Sequence, residues 1–156
     1  MADKLLGHAR SIDRYYAETS MNSLTQAIPV SVITPIALAA ATFNTGSYFN
    51  TSTYRFTPPI GLYSVSFAFL FSTNVADGDE LGIVLRKNGT SIRQIVHAAP
   101  KAGLGPVDGT IRFRQTVATD YWDLCANINP ASGASDRTLG SVSFSAVNNW
   151  ADWVEQ

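Results

Sequence analysis

The sequence has few charged residues and a single cysteine, and each shortage excludes a class of protein. Asp, Glu, Lys and Arg make up 15% of the 156 residues, whereas an average soluble domain has about 25%. The net charge is −1, from 11 basic and 12 acidic residues, so strong attraction to nucleic acid or to an anionic membrane is not expected. Cys125 stands alone and can form neither an internal disulfide framework nor a CxxC zinc site.

Long apolar segments are missing too. The first ten residues contain no apolar stretch of signal-peptide length. The longest apolar run, residues 28–43, is interrupted by Pro29 and Pro35, whereas a membrane-spanning helix needs about 18 uninterrupted apolar residues. We therefore expect a soluble protein that is made in a cytosol and has no membrane partner.

Catalytic and cofactor motifs are also missing. The two histidines lie outside any metal-binding spacing, and Cys125 has no base near it in the sequence. Asp77, Asp79 and Glu80 are of the residue types that bind calcium, but they lack the EF-hand spacing. An acidic hairpin tip is favoured over a calcium site. The sequence predicts no catalytic residue, no metal and no cofactor, and hence a protein that is not an enzyme.

Uncharged polar residues and aromatic residues take the place of the missing charge. Ser and Thr account for 29 residues, and the chain has 3 Trp, 6 Tyr and 8 Phe. Protein interfaces are poor in charge and rich in aromatic residues. The composition therefore indicates a surface that another protein covers.

Residues 62–72 give the clearest strand in the sequence. Large apolar side chains at positions 63, 65, 67, 69 and 71 share one face, and Ser64, Ser66 and Ala68 share the other. None of these eleven residues is Lys, Arg, Asp or Glu. We therefore expect both faces to be buried, one in the core and one in a second close-packed contact.

The other predicted strands are shorter and are separated by turn signals. Asn88-Gly89 predicts a tight hairpin in which Leu85 stands opposite Ile92. The remaining strands are predicted at residues 110–115, at 121–129, whose even-numbered residues face the core, and at 139–147. Many short strands at roughly ten-residue spacing are typical of a β-sandwich or a barrel.

The two ends of the chain have a different character. The apolar residues Leu5, Ala9, Ile12 and Tyr16 follow helical spacing, but a helix of this length is marginal in isolation. The segment is interpreted either as an arm that docks on a partner or as a terminal helix on its own domain. The tryptophans at positions 150 and 153 lie beyond the last predicted strand. They fasten the tail to its own domain or insert into a partner, and the second interpretation is favoured.

Four short motifs occur in a fixed order. Residues 56–63 read FTPPIGLY, an aromatic followed by a Pro-Gly turn, with Ile60 between the Pro and the Gly. Residues 85–89 read LRKNG, and residues 120–124 read DYWDL, with Trp122 in the place of an aliphatic residue. Residues 144–146 read FSA. In this order the motifs resemble the "G-x-Y", "L-x-K-N-G", "D-x-V-x-L" and "F-S-G" segments of the C1q/TNF-like jelly roll found in phage structural proteins.

The resemblance implies an all-β jelly-roll sandwich that assembles as a homotrimer. Residues 1–20 would be an N-terminal arm, residues 21–149 the jelly roll and residues 150–156 a C-terminal tail. The inner sheet of such trimers would combine the strands at 62–72, 121–129 and 139–147. The trimer interface is then expected to consist of Ser64, Ser66, Ala68, Asp123, Cys125 and Asn127.

The function predicted from this resemblance is that of a viral structural protein, a trimeric decoration or cement protein of a phage capsid. It would be made in the host cytoplasm and would bind the shell of major capsid protein on the virion surface. Three copies turn weak docking into strong binding through effective concentration. The residues expected to contact the shell or a neighbouring subunit are Leu5, Leu6, Ile12, Tyr15, Tyr16, Trp150 and Trp153.

Two alternatives remain open at this point. One is a receptor-binding module at the tip of a tail fibre or spike, which would bind a host glycan or protein through the loops at residues 74–80, 98–109 and 130–137. The other is a hydrolase on a jelly-roll scaffold, which the lack of a convergent acid–base set disfavours.

Overall fold

Strands make up most of the part of the chain that the structure describes, as the alternating pattern predicts. The computed structural model describes residues 16–22, 24–103, 105–133, 135–140 and 149–156. Within these ranges the helical content is a single 3-10 turn at Thr45–Ser47. No helix in the described ranges is long and apolar enough to cross a membrane. The predicted all-β class is confirmed.

The strands vary from two to thirteen residues in length. In chain order they are β1 (Tyr16–Ser20), β2 (Gln26–Ile28), β3 (Thr34–Pro35), β4 (Ala40–Asn44), β5 (Phe49–Asn50), β6 (Arg55–Phe56), β7 (Gly61–Thr73), β8 (Glu80–Lys87), β9 (Thr90–Ala98), β10 (Gly105–Gln115), β11 (Trp122–Asn129), β12 (Arg137–Leu139) and β13 (Trp150–Glu155).

The strands form two antiparallel sheets whose apolar sides pack together as one core. Sheet A runs in the order β4, β1, β13, β7 and β10. Its strand β12 pairs with the far end of β7 and carries β2 beside it. Sheet B runs in the order β5, β6, β11, β8 and β9, and β3 pairs with β11. Two stacked sheets of this kind are the sandwich that the spacing of the strands predicts.

Strand β7 is the long two-sided strand predicted at residues 62–72. Its odd-numbered residues from Tyr63 to Phe71 are buried in the core. It pairs with β10 over eleven residues, from Gly61 opposite Gln115 to Phe71 opposite Gly105. The loop predicted at residues 98–109 is therefore wrong in its second half. Residues 105–109 belong to β10, which begins at Gly105 and so pairs with β7 as far as Phe71.

The predicted hairpin is present, but its register differs by one residue. Asn88 and Gly89 both have positive φ, at 50° and 80°, as the two central residues of a type I′ turn require. Lys87 lies opposite Thr90, but Leu85 lies opposite Arg93. The predicted pairing of Leu85 with Ile92 is wrong because a bulge after Leu85 adds one residue to the partner strand.

The two ends of the chain lie side by side inside sheet A. Strand β13 pairs with β7 on one side and with β1 on the other. Trp153 is 0% exposed and its ring lies 5.0 Å from that of Phe56. The predicted boundaries, which set residues 16–20 and 150–156 outside the sandwich, are wrong for these two strands. Residues 1–15 and most of the strand predicted at 139–147 lie outside the described residues.

A buried ion pair joins the loops at one end of the sandwich. Asp79 is 0% exposed and Arg137 is 2% exposed. The Nε of Arg137 lies 2.7 Å from Oδ2 of Asp79, and Nη2 lies 3.2 Å from Oδ1. Arg137 also donates hydrogen bonds to the carbonyl oxygens of Ser132 and Ser135. The guanidinium therefore ties the loop before β8 to the loop before β12.

The carboxylate of Asp79 is held by the backbone as well. It accepts hydrogen bonds from the N–H groups of Ala76 and Ala131, and the carbonyl of Asp79 accepts one from the N–H of Ala99. Burial by itself would raise the pKa of Asp79, but the hydrogen bonds from Arg137, Ala76 and Ala131 and the charge of Arg137 keep that pKa below its usual value. Asp79 therefore has a buried structural role, whereas the sequence favours placing it at the tip of an acidic hairpin.

We expect Asp79→Asn to lower the free energy of unfolding by about 3–5 kcal/mol at pH 7, because it leaves the buried Arg137 charge without its partner. Because the pKa of Asp79 is lowered on folding, its contribution is complete above about pH 4 and is lost as pH falls through the folded pKa. Urea unfolding at several pH values measures both effects. The matched control is Asp77→Asn at an exposed position, and an equal effect of the two substitutions would contradict this account.

Candidate functional site

The outward side of sheet A combines small, aromatic and charged residues in separate zones, and we call it face A. Cross-strand register places its members on one side of the sheet, opposite to the core. They are Phe43 on β4, Tyr16 and Glu18 on β1, Trp150, Asp152 and Val154 on β13, Ser64, Ser66 and Ala68 on β7, and Asp108, Thr110, Arg112 and Arg114 on β10.

A strip of small residues runs along the middle of face A. Ser64 is 7% exposed, and Ser66 and Ala68 are half-buried. The hydroxyl oxygens of Ser66 and Thr110 lie 2.8 Å apart, and the Nε2 of Gln156 donates to the hydroxyl of Ser64 at 2.8 Å. Because their hydrogen bonds are made within the sheet, these serines tolerate a second surface placed directly on them.

An open depression of about 640 Å³ overlaps this strip, because Ser66 and Ala68 belong to its lining. Its lining also includes Leu70, Pro106 and Trp150 and one charged residue, Asp108. Its size is in the range of pockets that hold a ligand or the anchor residues of a partner. Face A therefore offers a largely apolar recess that takes in part of its strip of small residues.

Two carboxylates stand next to each other on face A. Glu18 and Asp152 are directly opposite in the pairing of β1 with β13, where like charges repel each other. The Oδ1 atom of Asp152 is buried and has no hydrogen-bond partner among the described residues. Burial, followed by the charge of Glu18, raises the pKa of Asp152. This part of face A has a negative charge for which the described chain supplies no cation.

The described residues hold no acid–base set. They contain no group of three or more His, Cys, Asp or Glu side chains placed to hold a metal ion. The ring Nδ1 of His97 lies 3.3 Å from the carbonyl oxygen of Pro106, at an exposed position. Burial, followed by the charge of Asp123, raises the pKa of the Cys125 thiol to about 12. The thiol therefore stays protonated at neutral pH, and a protonated thiol is a poor nucleophile.

The residues predicted for the trimer interface fall on two different sheets. Ser64, Ser66 and Ala68 are on face A, whereas the second group of three, Asp123, Cys125 and Asn127, is on β11 in sheet B. The prediction that both groups share one face is wrong, because β11 pairs with β3, β6 and β8, which all belong to sheet B.

Asp123 already has a cationic partner on its own sheet. It accepts two hydrogen bonds from Arg86, at 3.0 Å from Nε and 2.6 Å from Nη2. The partners that a buried Asp123 needs therefore come from the next strand, and no second copy is required to supply them.

The residues predicted to contact a partner also fall into separate groups in the structure. Tyr16 and Trp150 lie on face A, near the strip of small residues. Trp153 alternates to the other side of β13 and is buried in the core, so the prediction that it contacts a partner is wrong and the predicted alternative, fastening the tail to its own domain, is right. Residues 5, 6, 12 and 15 lie outside the described residues.

Eight of the thirteen members of face A were not predicted as site residues from the sequence, among them Phe43, Glu18 and Asp152. Asp152 lies two residues from Trp150, so strand alternation from 150 to 154 could have placed them on one face. No sequence signal joins Phe43 to Glu18, because their pairing depends on a contact between β1 and β4 that crosses a bulge.

Comparison with known proteins shows the fold. No protein-family model matches this chain, and no curated protein matches it in sequence. Among solved structures, the Eiger TNF of S. frugiperda is 12% identical with a TM-score of 0.64, and 92% of each chain is covered. The globular domain of the zebrafish complement 1qA protein is 13% identical with a TM-score of 0.59, covering 91% of this chain and 95% of its own.

A third solved structure, murine APRIL, is 10% identical with a TM-score of 0.63, covering 92% of this chain and 99% of its own. The predicted jelly roll of the C1q/TNF type is therefore confirmed as a fold. At these identities the likeness extends to the fold alone.

We expect Cys125 to resist alkylation in the native protein, because the thiol is 0% exposed and its pKa is raised to about 12. Mass spectrometry after iodoacetamide treatment at pH 8 measures the modified fraction, with the urea-unfolded protein as the control that reacts fully. Complete modification within minutes under native conditions would contradict this placement.

Proposed function

We propose that this protein is a non-catalytic binding module that assembles as a homotrimer through face A and decorates the capsid of a virus. The observation that carries the proposal is face A itself, where a strip of small residues and an apolar depression lie beside unneutralised charge. Exposed apolar recesses of this size on a soluble domain commonly mark sites of association.

The arrangement of charge supports a role in assembly. On sheet B the charge of Asp123 is neutralised by Arg86 at hydrogen-bond distance. On face A the Oδ1 of Asp152 is buried without a partner among the described residues. A buried carboxylate oxygen without a partner is costly, and the cost falls when a second surface supplies a donor.

Position in the fold supports the predicted role of the N-terminal segment. Strand β1 begins at Tyr16, inside sheet A and next to β13. Residues 1–15, which include the predicted contact residues Leu5, Leu6, Ile12 and Tyr15, are therefore joined to the chain beside face A. Three such segments on one trimer would bind a repeating capsid surface with high avidity.

We expect the wild-type protein to have three times the 16.8 kDa chain mass in light scattering after size exclusion, and Ala68→Glu to run as a monomer. The added carboxylate stands in the middle of face A, where burying an unpaired charge opposes association. Gln94→Glu is the matched control, because Gln94 is an exposed residue of β9 in sheet B. A monomeric wild type, or an Ala68→Glu variant that still trimerises, would contradict the proposed assembly.

We expect deletion of residues 1–15 to leave a folded trimer that no longer binds capsids, because β1 remains in sheet A while the predicted contact segment is gone. Binding to purified particles is measured by co-sedimentation, and gold-tagged antibody locates the wild-type protein on the particle. Gold over the shell with loss of sedimentation on deletion supports decoration. Unchanged sedimentation of the truncated trimer contradicts the role of this segment.

A second candidate function, receptor binding at a fibre or spike tip, is favoured by one observation. Asp79 joins the loops at 74–79, 98–103 and 130–136 at the same end of the sandwich through bonds to Ala99, Ala131 and Arg137. Loops grouped on a rigid scaffold are a common form of binding site. Gold confined to a tail or spike would support this function and oppose decoration.

A further inference from the structure

We infer that copies of this chain dock head to tail, with the β1–β4 side of one face A seated on the β7–β10 side of the next copy's face A. The inference rests on the proposed assembly through face A and specifies which residues meet. We call Phe43 and Glu18 the donor side, and we call the depression, Arg112 and Arg114 the acceptor side.

The first argument is shape. Phe43 is 59% exposed, and its ring centroid lies 6.1 Å from that of Tyr16. It stands on β4, at the edge of sheet A that is remote from β10. The depression of about 640 Å³ lies on the other side of the same face, between β7 and β10 with Trp150 in its lining. A projecting aromatic ring and a recess that could receive it therefore occur on opposite sides of one surface.

The second argument is charge. Arg112 and Arg114 are exposed on β10, and neither forms a hydrogen bond or ion pair with any described residue. Glu18 and Asp152 lie on β1 and β13, and they too have no cation within ion-pair distance among the described residues. The described part of the chain thus leaves three carboxylates, those of Glu18, Asp152 and the exposed Asp108 of β10, and two guanidinium groups on the same face without a partner of opposite charge.

Distance explains why these charges do not pair within one chain. The register aligns Arg112 with Ser64 on β7, Val154 on β13 and Tyr16 on β1. Three strand spacings separate β10 from β1, or about 14 Å, and Glu18 lies two residues further along. The small residues of β7 lie between the two groups. A second copy that lies across face A is able to bring its own Glu18 to Arg112.

The two arguments agree on direction. Phe43 is the cross-strand partner of Glu18, and Arg112 is two residues from Thr110 in the lining of the depression. Asp108 is two residues from Thr110 in the other direction and lines the depression itself. A copy whose Phe43 enters the depression therefore brings Glu18 to this part of β10, where opposite charge favours Arg112 over Asp108. Such a contact uses two different patches, so it repeats from copy to copy and closes as a ring when the rotation permits. In a closed ring of three, no donor side and no acceptor side is left open.

Charge reversal tests the pairing. We expect Glu18→Arg and Arg112→Glu each to weaken trimer formation on the order of 100-fold, because each places like charges together, and we expect the double variant to recover to within about tenfold of the wild type. The assembly constant is measured by sedimentation over a range of concentrations. Asp77→Arg and Lys101→Glu are the matched controls, since both alter exposed loop residues outside face A.

Phe43→Ser tests the shape argument independently. We expect it to weaken trimer formation at least about tenfold, whereas Ile92→Ser, at a residue of sheet B that is 48% exposed, leaves assembly unchanged. Circular dichroism and thermal unfolding of every variant show that the sandwich is folded, so a loss of assembly is not a loss of fold.

The outcomes separate this inference from the proposed function. If Ala68→Glu disrupts the trimer while both charge reversals behave like their controls, the pairing is wrong and assembly through face A stands. A double variant that stays as weak as the single variants also overturns the pairing. A wild-type protein that is monomeric at every concentration overturns both, and assigns the depression to a different occupant.

Discussion

Strict alternation along strand β7 is the constraint on which the rest of the structure depends. Its odd-numbered residues supply aromatic and β-branched side chains to the core, and its even-numbered residues supply the small side chains of face A. Both of its edges are paired, with β10 on one side and with β12 and β13 on the other. A shift of one residue would exchange the two faces, so the core and face A are determined together.

The buried pair of Asp79 and Arg137 organises the end of the sandwich in a different way. Charges removed from water are costly unless nearly all of their hydrogen-bonding capacity is used. Here the carboxylate accepts from the guanidinium and from two backbone N–H groups, and the guanidinium also donates to two backbone carbonyls. This arrangement holds loops of irregular backbone in one conformation, which a core of apolar side chains alone does not specify.

The two outward faces of the sandwich differ in how their charge is neutralised. In sheet B, Arg86 and Asp123 form a bidentate ion pair across neighbouring strands. In sheet A, Glu18 and Asp152 are neighbours of the same sign, and the arginines lie at the far edge. A surface that keeps opposite charges apart on one rigid sheet leaves them to water or to a second surface. This difference in charge, more than apolar area, is what supports the proposed association through face A.

The sequence by itself determined the local features: the two-sided strand β7, the Asn88-Gly89 turn, and the inward residues of β11. Each follows from a repeat of two residues or from a backbone angle that few residues adopt, and neither depends on distant parts of the chain. The tertiary structure decided which strands share a sheet. As a result, Asp123 and Cys125 lie on a different sheet from Ser66, Trp153 lies in the core, and Glu18 lies beside Asp152. These relations join residues far apart in the chain, as in the 58-residue separation of Asp79 and Arg137. Alternation shows which residues share a side of their own strand, but only the packing of the whole chain selects the neighbouring strand.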